Sequence, residues 1–93
     1  MQMAFQVGDR IRVSATYHWA QNATGTVRLP PDNIVALAID AGWQGCQRTV
    51  RGMRGPVLFY WVEFDTPQRD ADGDGPYMGG EVNAEHLVPV VDG

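Results

Sequence analysis

The segment Val57-Leu58-Phe59-Tyr60-Trp61-Val62-Glu63-Phe64 limits what this chain can fold into more than any other. All of it except Glu63 is apolar or aromatic, and it is bracketed by Gly55-Pro56 and Asp65-Thr66-Pro67. Such side chains suit a pleated surface, and the brackets are turn formers, so the segment reads as a central strand. Side chains alternate across a strand. Leu58, Tyr60, Val62 and Phe64 therefore share one face, and Val57, Phe59, Trp61 and Glu63 share the other.

Length decides how two apolar rows can be buried. With 93 residues the chain makes one domain, residues 1–93, around one core, and a small barrel has one interior. One row must face outwards. An unpaired glutamate is costly to bury, which assigns the Leu58 row to the core and places Phe59 and Trp61 outside. Two fates are open for that outer pair. Either the segment from Asp32 to Trp43 folds over it as a second small core, or it forms a docking patch for a partner protein. Tyr17 and Trp19 of an earlier loop would join that patch, with Arg51 beside it as a polar anchor.

Four further strands accompany the central one. Val7-Gly8-Asp9-Arg10-Ile11-Arg12-Val13 alternates, with Val7, Ile11 and Val13 on one face, and Ala23–Leu29 places Val27 and Leu29 together before Pro30-Pro31 ends the ladder. Gly80-Glu81-Val82 and Leu87-Val88-Pro89-Val90 read as two short strands, joined through Asn83-Ala84-Glu85-His86 by one helical turn. The middle is ambiguous. Ile34, Leu37 and Ala38 have helical spacing, whereas Ile34, Val35 and Ile39 favour a strand, and residues 42–54 read as a long loop carrying Arg48, Arg51 and Arg54.

The opening Val-Gly-Asp-Arg-Ile-Arg-Val, then Gly25-Thr26-Val27, then Val62-Glu63-Phe64-Asp65, and finally Val82–Val90 follow one another as the strands of small SH3-like barrels do. The chain resembles the accessory-subunit group of that class: the C-terminal domain of the nitrile hydratase beta chain, the ferredoxin-thioredoxin reductase variable chain and photosystem I reaction-centre subunit IV. Tyr17-His18-Trp19 ahead of Gly25-Thr26-Val27 is similar to the photosystem protein in particular. The resemblance implies an all-β, five-stranded barrel with an insertion at about 32–54 and a single helical turn near 83–86. It also implies a domain that docks on a larger enzyme and carries no catalytic residues of its own. The insertion and an acidic loop at 70–75 depart from the group's common pattern.

That loop has a chemistry of its own. Asp70-Ala71-Asp72-Gly73-Asp74-Gly75-Pro76-Tyr77-Met78-Gly79-Gly80-Glu81 satisfies the EF-hand loop formula at its acidic positions, at the sixth-position glycine and at the twelfth-position glutamate. Carboxylates at alternate positions of a tight loop can converge on one hard cation, and a bidentate glutamate closes the oxygen cage. On this reading Asp70, Asp72, Asp74 and Glu81 are calcium ligands. The flanks read as strands, where an EF-hand needs helices, and the alternative is a solvated hairpin loop built on Asp and Gly turn chemistry.

Charge and cysteine content narrow the remaining classes. Eleven acidic residues against seven arginines and no lysine give a net charge of −4, which disfavours nucleic acid and anionic lipid as partners. Cys46 is the sole cysteine, so neither a disulfide framework nor a cysteine-rich zinc site can form. Its neighbours signal no activated thiolate, and His18 and His86 stand apart in sequence, His86 reading as a surface or capping residue. No apolar stretch reaches the ~20 residues that span a bilayer, and the start lacks a basic segment followed by an apolar one, so the cytoplasm is the expected compartment. The leading expectation is a non-enzymatic protein-binding module with no resident cofactor. A calcium-binding domain is the second, and an oligomeric barrel that builds a small-molecule or anion site between copies is the third.

Overall fold

A computed structural model of the chain describes residues 5–32 and 42–90. Residues 33–41, on which the choice between a helix and an extra strand falls, lie outside the described residues. The elements in chain order are β1 (Arg10–Val13), β2 (Thr24–Val27), β3 (Trp43–Gln44), β4 (Gln47–Gly52), β5 (Gly55–Gln68), β6 (Tyr77–Asn83), a 3-10 turn η1 (Ala84–His86) and β7 (Leu87–Pro89). The fold is all-β, every strand pairing is antiparallel, and the architecture is compatible with a small barrel. No helix among the described residues is long and apolar enough to cross a membrane.

β5 organises the sheet. Along one edge it pairs first with β4, from Gly52↔Gly55 to Gln47↔Tyr60, and then with β2, from Val27↔Val62 to Gly25↔Phe64. Along its other edge it pairs with β6, from Phe59↔Asn83 to Glu63↔Gly79, and the register shifts before Gln68↔Tyr77. β1 pairs with β2 and β7, which η1 brings round from the end of β6. The strand runs through both of its expected boundaries. Pro56 sits next to the hairpin turn opposite Arg51, and Pro67 falls in the irregular stretch between Glu63 and Gln68, where a missing N–H breaks no regular ladder.

The alternation of β5 sorts its two rows as the glutamate argument requires. Tyr60 and Val62 are fully buried, Phe64 is nearly so, Leu58 packs against the same cluster, and Glu63 is exposed. Ile11, Val13, Val27 and Val82 complete the fully buried set. The Tyr60 ring is edge-on to Phe5 at 5.4 Å, and its hydroxyl accepts the Phe5 backbone N–H at 3.1 Å, so the one polar atom of this central side chain is satisfied. Gly25 lets β2 approach: a Cβ there would lie 2.5 Å from the Glu63 carbonyl oxygen and 2.8 Å from Val62.

Several expectations are corrected. Val7 is half exposed because it lies in a turn before β1, and Leu29 is 60% exposed because β2 ends at Val27. Among the described residues there are seven strands where five were expected, since residues 42–54 form the small strand β3 and the hairpin strand β4. The β4–β5 turn is Met53-Arg54, held between paired Gly52 and Gly55, and Met53 at its tip is fully exposed. β6 begins at Tyr77, so the second half of the EF-hand-like segment is strand.

The outer face carries one polar network across β1, β2 and β5. Arg10 donates from Nη1 to Asp65 Oδ1 at 2.7 Å and from Nη2 to Oδ2 at 2.6 Å, and also reaches Thr26 Oγ1 at 3.0 Å. The Thr24 hydroxyl donates to Asp65 Oδ2 at 2.7 Å. Hydrogen bonds from Arg10, and then from Thr24, hold the Asp65 carboxyl well below the usual carboxylate range. The fold therefore favours the ionised form. Its stabilisation is complete above the unfolded-state value near about pH 4 and is lost as the pH falls from there. Melting temperatures followed into acid should fall less steeply for Asp65→Asn than for the wild type, and parallel acid limbs would show that this network carries no linked stability.

Candidate functional site

The loop of residues 14–22 is tied into one shape by its own backbone. Tyr17 N–H donates to Ser14 O at 3.2 Å, Ala23 N–H to Ala20 O at 3.1 Å, and Asn22 N–H to Val13 O at 2.9 Å. Ala20 and Asn22 both take left-handed conformations, with φ of 54° and 64°, which is common for asparagine and strained for alanine. The start of the loop is pinned by η1. Ser14 N–H donates to His86 O at 2.8 Å, the His86 ring stacks on Tyr17 at 4.8 Å, and His86 Nδ1 lies 3.3 Å from Ser14 Oγ. His86 is thus half-buried, more than a surface cap.

This loop carries Trp19 onto β6, where Gly79 and Gly80 leave bare backbone. A Cβ on Gly80 would lie 2.5 Å from Trp19 Cη2, and one on Gly79 would lie 3.1 Å from Trp61 Nε1 and 2.8 Å from the Val62 carbonyl oxygen. The two indoles lie against the paired glycines on opposite sides of the strand. Trp19 is edge-on to Phe64 at 5.3 Å and to Tyr77 at 6.3 Å, while Trp61 meets Trp43 of β3 edge-on at 6.1 Å. Between them lies an open groove of about 620 Å³, walled by Trp19, Phe59, Trp61 and Tyr77, floored by Gly79 and Gly80, and rimmed by Asp70 and Asp72.

The sequence-derived docking residues separate in this geometry. Trp19, Phe59 and Trp61 line the groove and are partly exposed. Tyr17 is 7% exposed and belongs to the core; its hydroxyl accepts the Asn83 N–H at 3.2 Å, burial pushes its phenol up, and it borders the groove. Arg51 is corrected: opposite Pro56 in the register, it falls on the other face of the sheet from Phe59 and Trp61 and lines a separate recess with Thr49 and Gly55. Arg48, opposite Phe59, is the arginine on the groove side. Its Nη1 donates to Glu81 Oε2 at 2.7 Å, and its Nε is buried without a hydrogen-bond partner.

The acidic loop also divides. Asp70, Asp72 and Asp74 present carboxylate oxygens within 4.8 Å of one another. Asp70 Oδ1 already accepts the backbone N–H groups of Asp72 and Asp74, at 3.0 and 2.9 Å, and Arg69 Nη1 donates to the Gly73 carbonyl at 3.1 Å. Glu81 is not in the cluster, because β6 holds it opposite Trp61 and Arg48 draws its carboxylate away. A twelve-residue cation loop needs its last residue free to turn inward, and here that residue is locked in a ladder. Cys46 is half-buried, and burial pushes its thiol up, the opposite of what an activated thiolate requires.

Tyr77 and the glycine pair are the groove residues that sequence reasoning missed. The short strand read from Gly80 left unsaid that adjacent glycines in a strand admit a close neighbour on each face. Comparison of the chain with protein-family profiles, with curated proteins and with solved structures returns no match. What stands of the likeness to SH3-like accessory subunits is therefore the coarse architecture, a small antiparallel all-β fold compatible with a barrel.

Gly80→Ala should displace Trp19 and cost about 1–3 kcal/mol, the usual penalty for forcing a methyl into a packed site. Equilibrium unfolding reads the cost, and the near-ultraviolet dichroism of the indoles reads the displacement. An unchanged signal in both would mean that Trp19 does not rest on this glycine.

Proposed function

We propose that this chain is a non-enzymatic docking domain that binds a partner protein through the groove between Trp19 and Trp61, as an accessory subunit does on a larger complex. One observation carries the reading: rings from the 14–22 loop, from β5 and from β6 converge on an open groove, although the core is already filled by Tyr60, Val62, Phe64 and their neighbours. Large rigid aromatic side chains give the most contact area for the least lost side-chain freedom, which is why they dominate the energetic centres of protein interfaces.

Calcium binding by the acidic loop is a second reading, favoured by the convergence of Asp70, Asp72 and Asp74. In this reading the aspartates bind without Glu81, and affinity falls in the weak range of ~10⁻⁴ to 10⁻³ M known for isolated modules. Because Asp70 and Asp72 also rim the groove, occupancy would register in tryptophan emission.

The test is affinity capture with the wild-type chain beside a Phe59→Ala, Trp61→Ala double variant, in calcium and in chelator, with circular dichroism confirming that both are folded. The docking reading expects a stoichiometric protein retained by the wild type and lost from the folded variant. Retention by both would move the interface elsewhere, and loss only in chelator would bring the acidic loop into it.

A further inference from the structure

Among the described residues β6 is paired along one side only. Trp61 N–H donates to Cys46 O at 2.9 Å and Trp61 C=O accepts the Arg28 N–H at 3.1 Å, so the backbone groups of Trp61 point away from β6. In an antiparallel ladder, directly opposed residues share that orientation. Glu81 opposite Trp61, and Gly79 two residues before it, therefore direct their N–H and C=O groups away from β5, while Gly80 and Val82 bond to Val62 and Tyr60. Asn83 obeys the same parity, and its outward N–H is the one the Tyr17 hydroxyl takes up. Among the described residues β6 pairs with β5 alone, and no hydrogen bond reaches the outward groups of Gly79 or Glu81.

The groove therefore combines three recognition elements: a strand edge unpaired among the described residues, an indole on either side of it, and negative charge at the rim. Glu81 is paired with Arg48, but neither Asp70 nor Asp72 takes part in an ion pair among the described residues. Each element selects the same occupant. An open edge takes an extended backbone, a pair of indoles takes a cation over the ring, and carboxylates at the rim take positive charge. An acidic segment is excluded by the rim and by the chain's net charge of −4.

We infer that β6 accepts an extended, arginine- or lysine-bearing segment of a partner protein as an added strand, hydrogen-bonded to Gly79 and Glu81, with its cationic side chains between the indoles and the Asp70–Asp72 rim. The inference rests on the docking reading and names its partner's chemistry. Side chains of the added strand alternate between the Trp61 side and the Trp19 side of β6, so cations at every second position share the side of one indole. Salt weakens the complex, because Asp72 is exposed and Asp70 only half-buried, so their attraction is screened.

The probe is a ten-residue synthetic peptide of alternating arginine and threonine, titrated into the full chain and followed by tryptophan emission and by amide shifts in two-dimensional NMR. Three comparison peptides carry lysine in place of arginine, glutamate in place of arginine, or arginine with backbone N-methylation at alternate residues. The arginine and lysine peptides should shift the Gly79 and Glu81 amides and both indole signals, and the glutamate peptide should shift neither. N-methylation removes the strand donors and should weaken binding about tenfold or more, the combined effect of two lost hydrogen bonds. Asp70→Asn with Asp72→Asn should weaken the arginine peptide severalfold without changing the melting curve.

Equal binding of the glutamate and arginine peptides, or insensitivity to N-methylation, overturns the inference. So does an unchanged spectrum at millimolar arginine peptide, or self-association of the chain through β6 that the peptide cannot displace. If the basic peptide fails while affinity capture still depends on Phe59 and Trp61, the docking reading stands and the basic occupant is wrong. Failure of both removes the groove as an interface.

Discussion

Everything in this fold is hung on β5. One fourteen-residue strand pairs with β4 and then β2 along one edge and with β6 along the other, while its inner row of Tyr60, Val62 and Phe64 fills the core. Drawn straight, it would span about 43 Å at the usual rise per residue. The longest axis of the molecule is 36 Å, and the strand accommodates itself at the register shift between Glu63 and Gln68. A strand shared among so many partners cannot slip by one residue without turning Tyr60 outwards and Glu63 inwards, so the burial of one row sets the register of the whole sheet.

The same alternation that builds the core leaves Phe59 and Trp61 on the outside, and the rest of the groove follows from how the chain treats them. Trp43 covers part of Trp61 from β3, and the 14–22 loop brings Trp19 to the other side of β6. Trp19 could not lie as it does if β6 carried a side chain at position 80, and one at position 79 would meet the Val62 carbonyl oxygen and crowd Trp61. The glycine pair therefore costs the strand some intrinsic preference and gains a floor on which two large rings are seated. Rigid seating matters for recognition, since an aromatic wall already in place loses little freedom when a ligand arrives.

How much of this was legible in the sequence follows from where period and side-chain chemistry agree. Val57–Phe64 declared its strand and its inner row, because an unbroken β-rich run with a single glutamate leaves one arrangement for a small core. The turn at Ala84–His86 was legible from its length between two short apolar runs. The strand β4 was not, since Gln47-Arg48-Thr49-Val50-Arg51 is polar on both faces and sits on the sheet's periphery, where burial does not enforce alternation. Gly52-Met53-Arg54-Gly55 was its one local sign, a two-residue turn framed by glycines. The place of Glu81 was hidden for the converse reason. The spacing of the calcium formula was met in residues 70–81, but ladder pairing from Tyr77 onward overrode the loop, and Arg48, distant in sequence, took Glu81. Tyr17 shows the same limit: its place in the core depends on Asn83 and His86, which no local pattern connects to it.

The central claim is that β6 stands in the free protein as an open edge between two seated indoles. Native-state hydrogen exchange of single amides along β6 tests it most directly. The account predicts alternation, with the Gly80 and Val82 amides protected by their bonds to β5 and the Gly79 and Glu81 amides exchanging much faster. Uniform protection of all four amides would show that the outer edge is already covered in the free chain and would contradict the account.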